Sequence, residues 1–376
     1  MKLCISLFLL PLLQIEARVN KCGPSFSEAC FCGHQFYEGA TMVVVNCTGQ
    51  GFTDATMLRY LPEDVEMLIF TGNHITSLPL NIFGEDMDLS MLKIIDMSNN
   101  GITDIKGRTF HHVANVERLI LNHNNISISE DDKNLHPRVF SNFYNLEELH
   151  LTNAFADNTD AALAKDLHDI FVNSNLTKLV KLHLEQNEIK NFKDDRVFCD
   201  LPNLQHLYLG DNYIPCLNFN VTCLPKLTYL DLEGNNITSF SDSDLDKFDR
   251  LIVPSRSENL VIDIDDNPFR CDSAIQNLYN WLHKTKVKVR NLERLECHQA
   301  KYGRKYIMNL KNLTETKHAK VSQALTVLLV ILVVVLITLL SAYIYLKKES
   351  VKERLSPIFD AVSRKVQYTT IESQDV

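Results

Sequence analysis

The chain has 376 residues, 45% apolar and 23% charged, the composition of a folded protein of two or three ordinary domains rather than of a disordered chain or one small module. Its net charge of -9 argues against a general polyanion binder and against nucleic acid as a partner, and only 12 glycines and 11 prolines exclude collagen-like and linker-like sequences. At the amino end, Met1 and Lys2 precede an apolar stretch, Leu3 to Leu13, too short to span a bilayer, with Ala17 before a cleavage point. Residues 1–17 read as a removable signal peptide, so the mature chain is expected to enter the secretory pathway.

Four cysteines, Cys22, Cys30, Cys32 and Cys47, cluster over residues 18–60. Their spacings are not paired C-x-x-C, and a secreted chain favours disulfides over zinc. From residue 61 to 266 apolar residues recur in the frame L-x-x-L-x-L-x-x-N-x-L, the signature of leucine-rich repeats. Clear instances centre on Leu119-Ile120-Leu121 with Asn124, Leu182-His183-Leu184 with Asn187, Leu207-Tyr208-Leu209 with Asn212, and Leu230-Asp231-Leu232 with Asn235. Weaker ones carry Asn73, Asn100 and Asn267, and one places Ala154 at the asparagine position, giving about eight repeats. In such a frame each short strand turns its apolar residues inward, and the asparagine satisfies backbone groups of the following turn. One coil cannot bury its apolar face alone, so stacked coils build a continuous core and a curved parallel sheet whose ends need protection. Between Leu151 and Leu182 lies an insertion, read either as a binding loop or as a tolerated excursion.

The outward strand positions hold Arg118, Glu148, His150, Lys181, His183, His206, Tyr208, Tyr229 and Asp231, a mixture of charge and aromatic surface that suits protein recognition on a concave sheet. His150 and His183 occupy the same position in adjacent repeats, close enough at a strand spacing of about 4.8 Å for their rings to meet. Glycosylation sequons start at Asn46, Asn125, Asn175, Asn220, Asn236 and Asn312. None falls within a repeat-strand segment, so glycans are expected to leave the concave sheet uncovered. No catalytic motif, phosphate-cradling glycine loop or metal-ligand frame is read, so neither an enzyme nor a cofactor is expected.

Beyond the repeats, residues 267–310 contain Cys271, Cys297 and Trp281. Charge is divided unevenly: residues 18–272 hold 20 basic and 38 acidic residues, residues 273–320 hold 11 and 3. Lys284, Lys286, Lys288 and Arg290 alternate about Val287 and Val289, which predicts a strand with one basic face and allows an anionic glycan as partner. Three cysteines, Cys199, Cys216 and Cys223, are odd in number; Cys216 and Cys223 are nearest in sequence, connectivity stays open, and the unpaired thiol is expected to be buried. After a linker at 311–323, residues 324–346 form 23 uncharged apolar residues, a transmembrane helix by length. Basic residues flank both sides of it, but a cleaved signal peptide ahead of a long translocated domain directs the carboxyl end to the cytosol. The tail, 347–376, offers Tyr368 with Ile371 three places on, similar to a tyrosine-based trafficking signal or an inhibitory phosphotyrosine motif.

Taken together, the cysteine-flanked repeats of residues 20–310 resemble the extracellular leucine-rich repeat family with cysteine-rich caps, of single-pass receptor and adhesion type. The amino cap resembles that family's four-cysteine flank with a longer first interval. At the carboxyl cap, Asn267-Pro268-Phe269-Arg270-Cys271 resembles the other flank, but Ser273 stands where a second early cysteine is usual, so the resemblance implies one bridge, Cys271 to Cys297. The implied fold is an α/β leucine-rich repeat solenoid with disulfide caps plus one transmembrane helix. The implied function is binding of an extracellular or cell-surface protein, homophilic contact included, at the plasma membrane in adhesion, recognition or co-receptor work. The alternatives are an auxiliary subunit of a channel or receptor complex in the same membrane, or a ligand-sequestering decoy.

Overall fold

The computed structural model describes residues 22–85, 87–127, 139–156, 160–252, 259–299, 303–310, 315–347, 357–358 and 361–363. The signal peptide, Asn312, Tyr368 and Ile371 lie outside them. The chain divides into two units, Met1–Leu310 and Lys311–Val376.

The first unit opens with a hairpin, β1 (Phe31–Tyr37) and β2 (Ala40–Asn46), followed by β3 (Met67–Ile69), β4 (Ser77–Leu78), β5 (Ile94–Asp96), β6 (Asp104–Ile105), β7 (Arg118–Ile120) and β8 (Glu148–His150). Then come helix α1 (Asp160–Phe171), β9 (Lys181–His183), β10 (His206–Tyr208), β11 (Tyr229–Asp231), α2 (Asp242–Arg250), β12 (Val261–Asp263), α3 (Ile275–Leu282), β13 (Lys288–Val289), β14 (Glu296–Gln299) and β15 (Gly303–Tyr306). One 11-stranded sheet runs β1-β2-β3-β5-β7-β8-β9-β10-β11-β12-β13, parallel throughout except for the β1–β2 pair. The register is constant: Leu119, Leu149, Leu182, Leu207, Leu230 and Ile262 are consecutive partners, all fully buried. Because strand side chains alternate, every residue flanking this column points to the opposite, outer face.

Asparagine side chains join the coils. Asn124 Oδ1 accepts from the backbone N–H groups of Asn100 (3.1 Å) and Ile102 (3.0 Å), and its Nδ2 donates to the carbonyls of Leu121 (2.8 Å) and Met97 (3.2 Å). All seven repeat asparagines are buried, and their amides exhaust donors and acceptors that would otherwise be costly to leave unpaired. Ala154 interrupts this ladder, and backbone replaces it. Ile126 N–H donates to Ala154 O (2.8 Å), Ala156 N–H returns to Ile126 O (3.1 Å), and Ala154 N–H still reaches Asn187 Oδ1 (2.8 Å).

The insertion after Leu151 is not a free loop where it is described. It folds into α1, which turns Leu163, Leu167, Ile170 and Phe171 into the core. Behind the sheet phenylalanines stack from coil to coil: Phe171, Phe192 and Phe219 all surround Phe198 at centroid distances of 5.2 to 5.8 Å. A further run through Phe240, Phe248 and Phe269 ends on Trp281 of α3.

Disulfides close both ends. Cys22–Cys32 and Cys30–Cys47 tie the hairpin, and Cys271–Cys297 ties the carboxyl cap. Cys199 pairs with Cys223 rather than the sequence-nearest pair forming, and Cys216 is exposed, not buried as expected. The physical reason is the repeat period: residues one coil apart lie side by side, whereas residues seven apart run along a single coil. The basic segment 284–290 is strand only at Lys288–Val289; Lys284, Lys286, Lys288 and Arg290 are exposed while Val287 is buried.

In the second unit, α4 (Glu315–Leu346) carries an uninterrupted apolar span, Leu325–Leu346, all exposed and long enough to cross a membrane. Two of its hydroxyls are satisfied within the helix, Thr338 donating to Val335 O and Ser341 to Ile337 O, each at 2.8 Å.

Candidate functional site

The constant register sorts the outer face into two columns. One runs Val44, Met67, Ile94, Arg118, Glu148, Lys181, His206, Tyr229, Val261, Lys288; the other runs Asn46, Ile69, Asp96, Ile120, His150, His183, Tyr208, Asp231, Asp263. All nine concave residues singled out from the sequence stand in these columns. They do not form one surface but three zones of different chemistry.

The first zone is closed. The two-residue turn Glu38–Gly39, with φ of 45° and 92°, gives the hairpin the backbone twist its strands require. Val44, Met67 and Ile94 lie buried with Met42 on this face, and Tyr37 and Ile69 pack against them. Arg118 holds the hairpin tip: its guanidinium reaches both Glu38 carboxylate oxygens (2.8 and 3.0 Å), the Tyr37 hydroxyl (2.8 Å) and, through Nε, Glu148 (2.7 Å). Lys181 Nζ meets Glu148 Oε1 at 2.7 Å, and His150 Nε2 stands 3.3 Å from Oε2, the oxygen that Arg118 Nε also contacts. Hydrogen bonding from His150, then from Lys181, with the charge of Arg118, holds the Glu148 carboxyl far below its ordinary range despite burial. Burial lowers the pKa of His150 itself, favouring the neutral ring. Arg118, Glu148 and Lys181 therefore spend their charge on one another.

The second zone is an aromatic stack. His150, His183 and Tyr208 lie ring on ring, at 4.2 Å and 11° and then 4.1 Å and 8°, with Tyr229 tilted beside Tyr208 at 5.3 Å. His183 Nδ1 is 2.9 Å from Glu185, whose other oxygen accepts from the Thr152 hydroxyl at 2.9 Å. Three identical strand positions in successive coils place these rings at van der Waals contact.

The third zone is mixed. Asp231, Glu233 and Asp263 bring carboxylate oxygens within 4.8 Å of one another, a grouping the sequence reading did not identify because Glu233 lies beyond the end of β11, outside the strand positions. Desolvation pushes Asp231 up to about 6, against the bond from Glu233 N–H and with the charge of Asp263 adding to it. Arg290 supplies the counter-charge: its Nη1 lies 3.2 Å from the fully buried Asp263 side chain and donates to the Tyr229 hydroxyl at 3.1 Å. Beside it a recess of about 610 Å³ opens between β10 and β13.

Of the sequons, Asn125 and Asn236 are exposed on the turns after strands, Asn175 is exposed between α1 and β9, and Asn220 caps a short turn through Thr222 N–H. Asn46 departs from the expectation that glycans avoid the sheet. Because β2 continues the parallel sheet, Asn46 stands opposite Ile69 in an outer column, at the edge already occupied by the hairpin.

The leucine-rich repeat family model matches residues 63–126 and 177–237. With the solenoid register and the disulfides at both ends, the chain carries leucine-rich repeats between disulfide-tied caps. It is similar to trophoblast glycoprotein of Macaca fascicularis, 25% identical over 67% of this chain and 59% of that one, and to human lumican, 28% identical over 54% and 62%. The chain thus spans about three-fifths of the length of these two relatives. The crystal structure of human trophoblast glycoprotein, also called Wnt-activated inhibitory factor 1, superposes with a TM-score of 0.60 at 24% identity, over 71% of this chain and 92% of that one, a likeness of fold. These relatives are extracellular leucine-rich repeat proteins.

Proposed function

We propose that the chain is a type I single-pass protein of the plasma membrane whose solenoid stands outside the cell and binds another protein in adhesion, recognition or as a co-receptor. The observation that carries this reading is the open part of the concave face, from His150 to Lys288, where stacked rings and charged groups sit on rigid strands. Aromatic and cationic groups held on a fixed backbone lose little entropy on binding, which is what recognition surfaces favour. The apolar span of α4 supports a membrane anchor, and Cys199–Cys223 stiffens the return limbs behind the recognition strands.

A cell-mixing assay tests it. Cells displaying the full chain are combined with cells that display it and with a panel that do not. Clustering with self-displaying cells alone means homophilic adhesion, and clustering with others means a heterophilic receptor; many weak contacts between two membranes make the readout sensitive. Paired alanines at His150 and His183 should reduce clustering at least about tenfold, the effect of about 1.4 kcal/mol per contact multiplied over several contacts. Absence of clustering with every cell type moves the reading to an auxiliary subunit acting on a partner in the same membrane.

A further inference from the structure

Residues that the sequence separates by about eighty positions share the concave recess at the carboxyl end. One column of the sheet runs His206, Tyr229, Val261, Lys288 across four adjacent strands. The short Val261 side chain lies between the bulky Tyr229 and the long Lys288 in this column, and a recess of about 610 Å³ opens over it. Tyr208 completes the aromatic side, and Arg290 leans in from the strand end to bond the Tyr229 hydroxyl.

The two cations of this recess are not equivalent. Arg290 is neutralised by Asp263, which is fully buried beneath it. Lys288 is exposed, and among the described residues no carboxylate forms an ion pair with it. Among the described residues the recess thus offers one positive charge without an ion-pair partner, beside two aromatic walls. Immediately next to it the surface turns acidic, with Asp231 and Glu233 packed against each other. A long, uniformly anionic chain laid across the strands would meet that acidic group within about two strand spacings, roughly 10 Å, so the field favours one anion rather than many.

We propose that the recess seats a single acidic side chain, Asp or Glu, of an extended segment of the protein partner. Lys288 is its counter-ion, Tyr208 and Tyr229 pack its carbon chain, and a basic residue of the same segment lies over Asp231 and Glu233. This rests on the reading of the concave face as a protein-binding surface and names the chemistry of its anchor.

The test uses the full chain in lipid nanodiscs and saturation-transfer NMR with three probes: acetyl-Lys-Gly-Glu-amide, its Gln counterpart, and a heparin tetrasaccharide. The Glu peptide should receive about threefold more saturation than the Gln peptide, the effect of one exposed charge pair. Lys288→Glu should abolish that difference, and Lys288→Met should reduce it. Both substitutions fall on an exposed side chain, so the melting temperature should not move. Equal signals from both peptides, no signal from either, stronger binding of the heparin fragment, or an unchanged difference in Lys288→Glu would each overturn the proposal. The cell-mixing assay separates the two levels. Clustering that is lost with the His150 and His183 alanines but kept with Lys288→Glu sinks the recess and leaves the concave-face reading standing. Selective Glu-peptide binding without clustering keeps the recess and sinks the adhesion role instead.

Discussion

The two ends of the concave face are built from the same strand positions and do opposite things. Toward the amino end, β1 and β2 fold their tip over β3 and β5, and Arg118 latches it through Glu38 and Tyr37, so Ile94 and Met67 are buried although they point outward. Toward the carboxyl end, β13 is only two residues long and adds a rim instead of a cover, leaving Tyr208, Tyr229 and Lys288 around an open recess. An outward position in a repeat is therefore a necessary condition for binding and not a sufficient one. What the flanking cap does decides which outward residues are available.

The largest effect that would break this comparison is removal of the hairpin's tie. Cys30→Ser opens the Cys30–Cys47 bridge, and loss of a native disulfide costs about 2–5 kcal/mol, so surface display measured by flow cytometry should fall severalfold. Next is Arg118→Met, which leaves Glu38 and Glu148 without their shared cation. A destabilisation of about 3 kcal/mol is expected, with faster amide exchange concentrated in β1 and β2 and little change near β12. Uniform loss of protection along the sheet would show that the tip is not a local latch. The pH response sharpens the same point, because the Glu148 carboxyl is held below its ordinary value of 4.5. Its stabilisation is present above that value and is lost as the pH falls below it, so the wild type should lose more stability on acidification than Glu148→Gln.

At the open end the sign is reversed. Asp231 is raised from 3.8 to about 6, so its contribution to stability is full below pH 3.8 and is lost as the pH rises through 6. Asp231→Asn should accordingly raise stability at pH 7.5 by about 1–2 kcal/mol and bring no gain at pH 3.5, measured by denaturant unfolding at both values. The smallest effect lies away from either end: Tyr368→Phe should slow uptake from the cell surface if the tail acts as a trafficking signal, with no change in clustering.

Much of the fold was legible because a repeat is a local code. The asparagines at 73, 100, 124, 187, 212, 235 and 267 set the stacking register, and that register alone placed Arg118, Glu148, Lys181, His206 and Tyr229 in one column and His150, His183, Tyr208 and Asp231 in the other. Even the contact of His150 with His183 follows from equal positions in adjacent coils. The phenylalanine run behind the sheet carried a fainter periodicity, since its members come from turns of unequal length, and it was not read.

The sequence by itself thus determined the solenoid, its capped ends and the apolar span of α4, because strand alternation, repeat period and helix length are all properties of short windows. Only the tertiary structure decided that Arg118 is consumed by a hairpin eighty residues earlier, that Cys199 takes Cys223, that the insertion becomes α1, and that Lys288 faces Tyr229 across the recess over Val261. Each of these depends on how far a cap or insertion reaches across neighbouring coils. That reach is fixed by packing between segments remote in sequence, where the repeat pattern has no term.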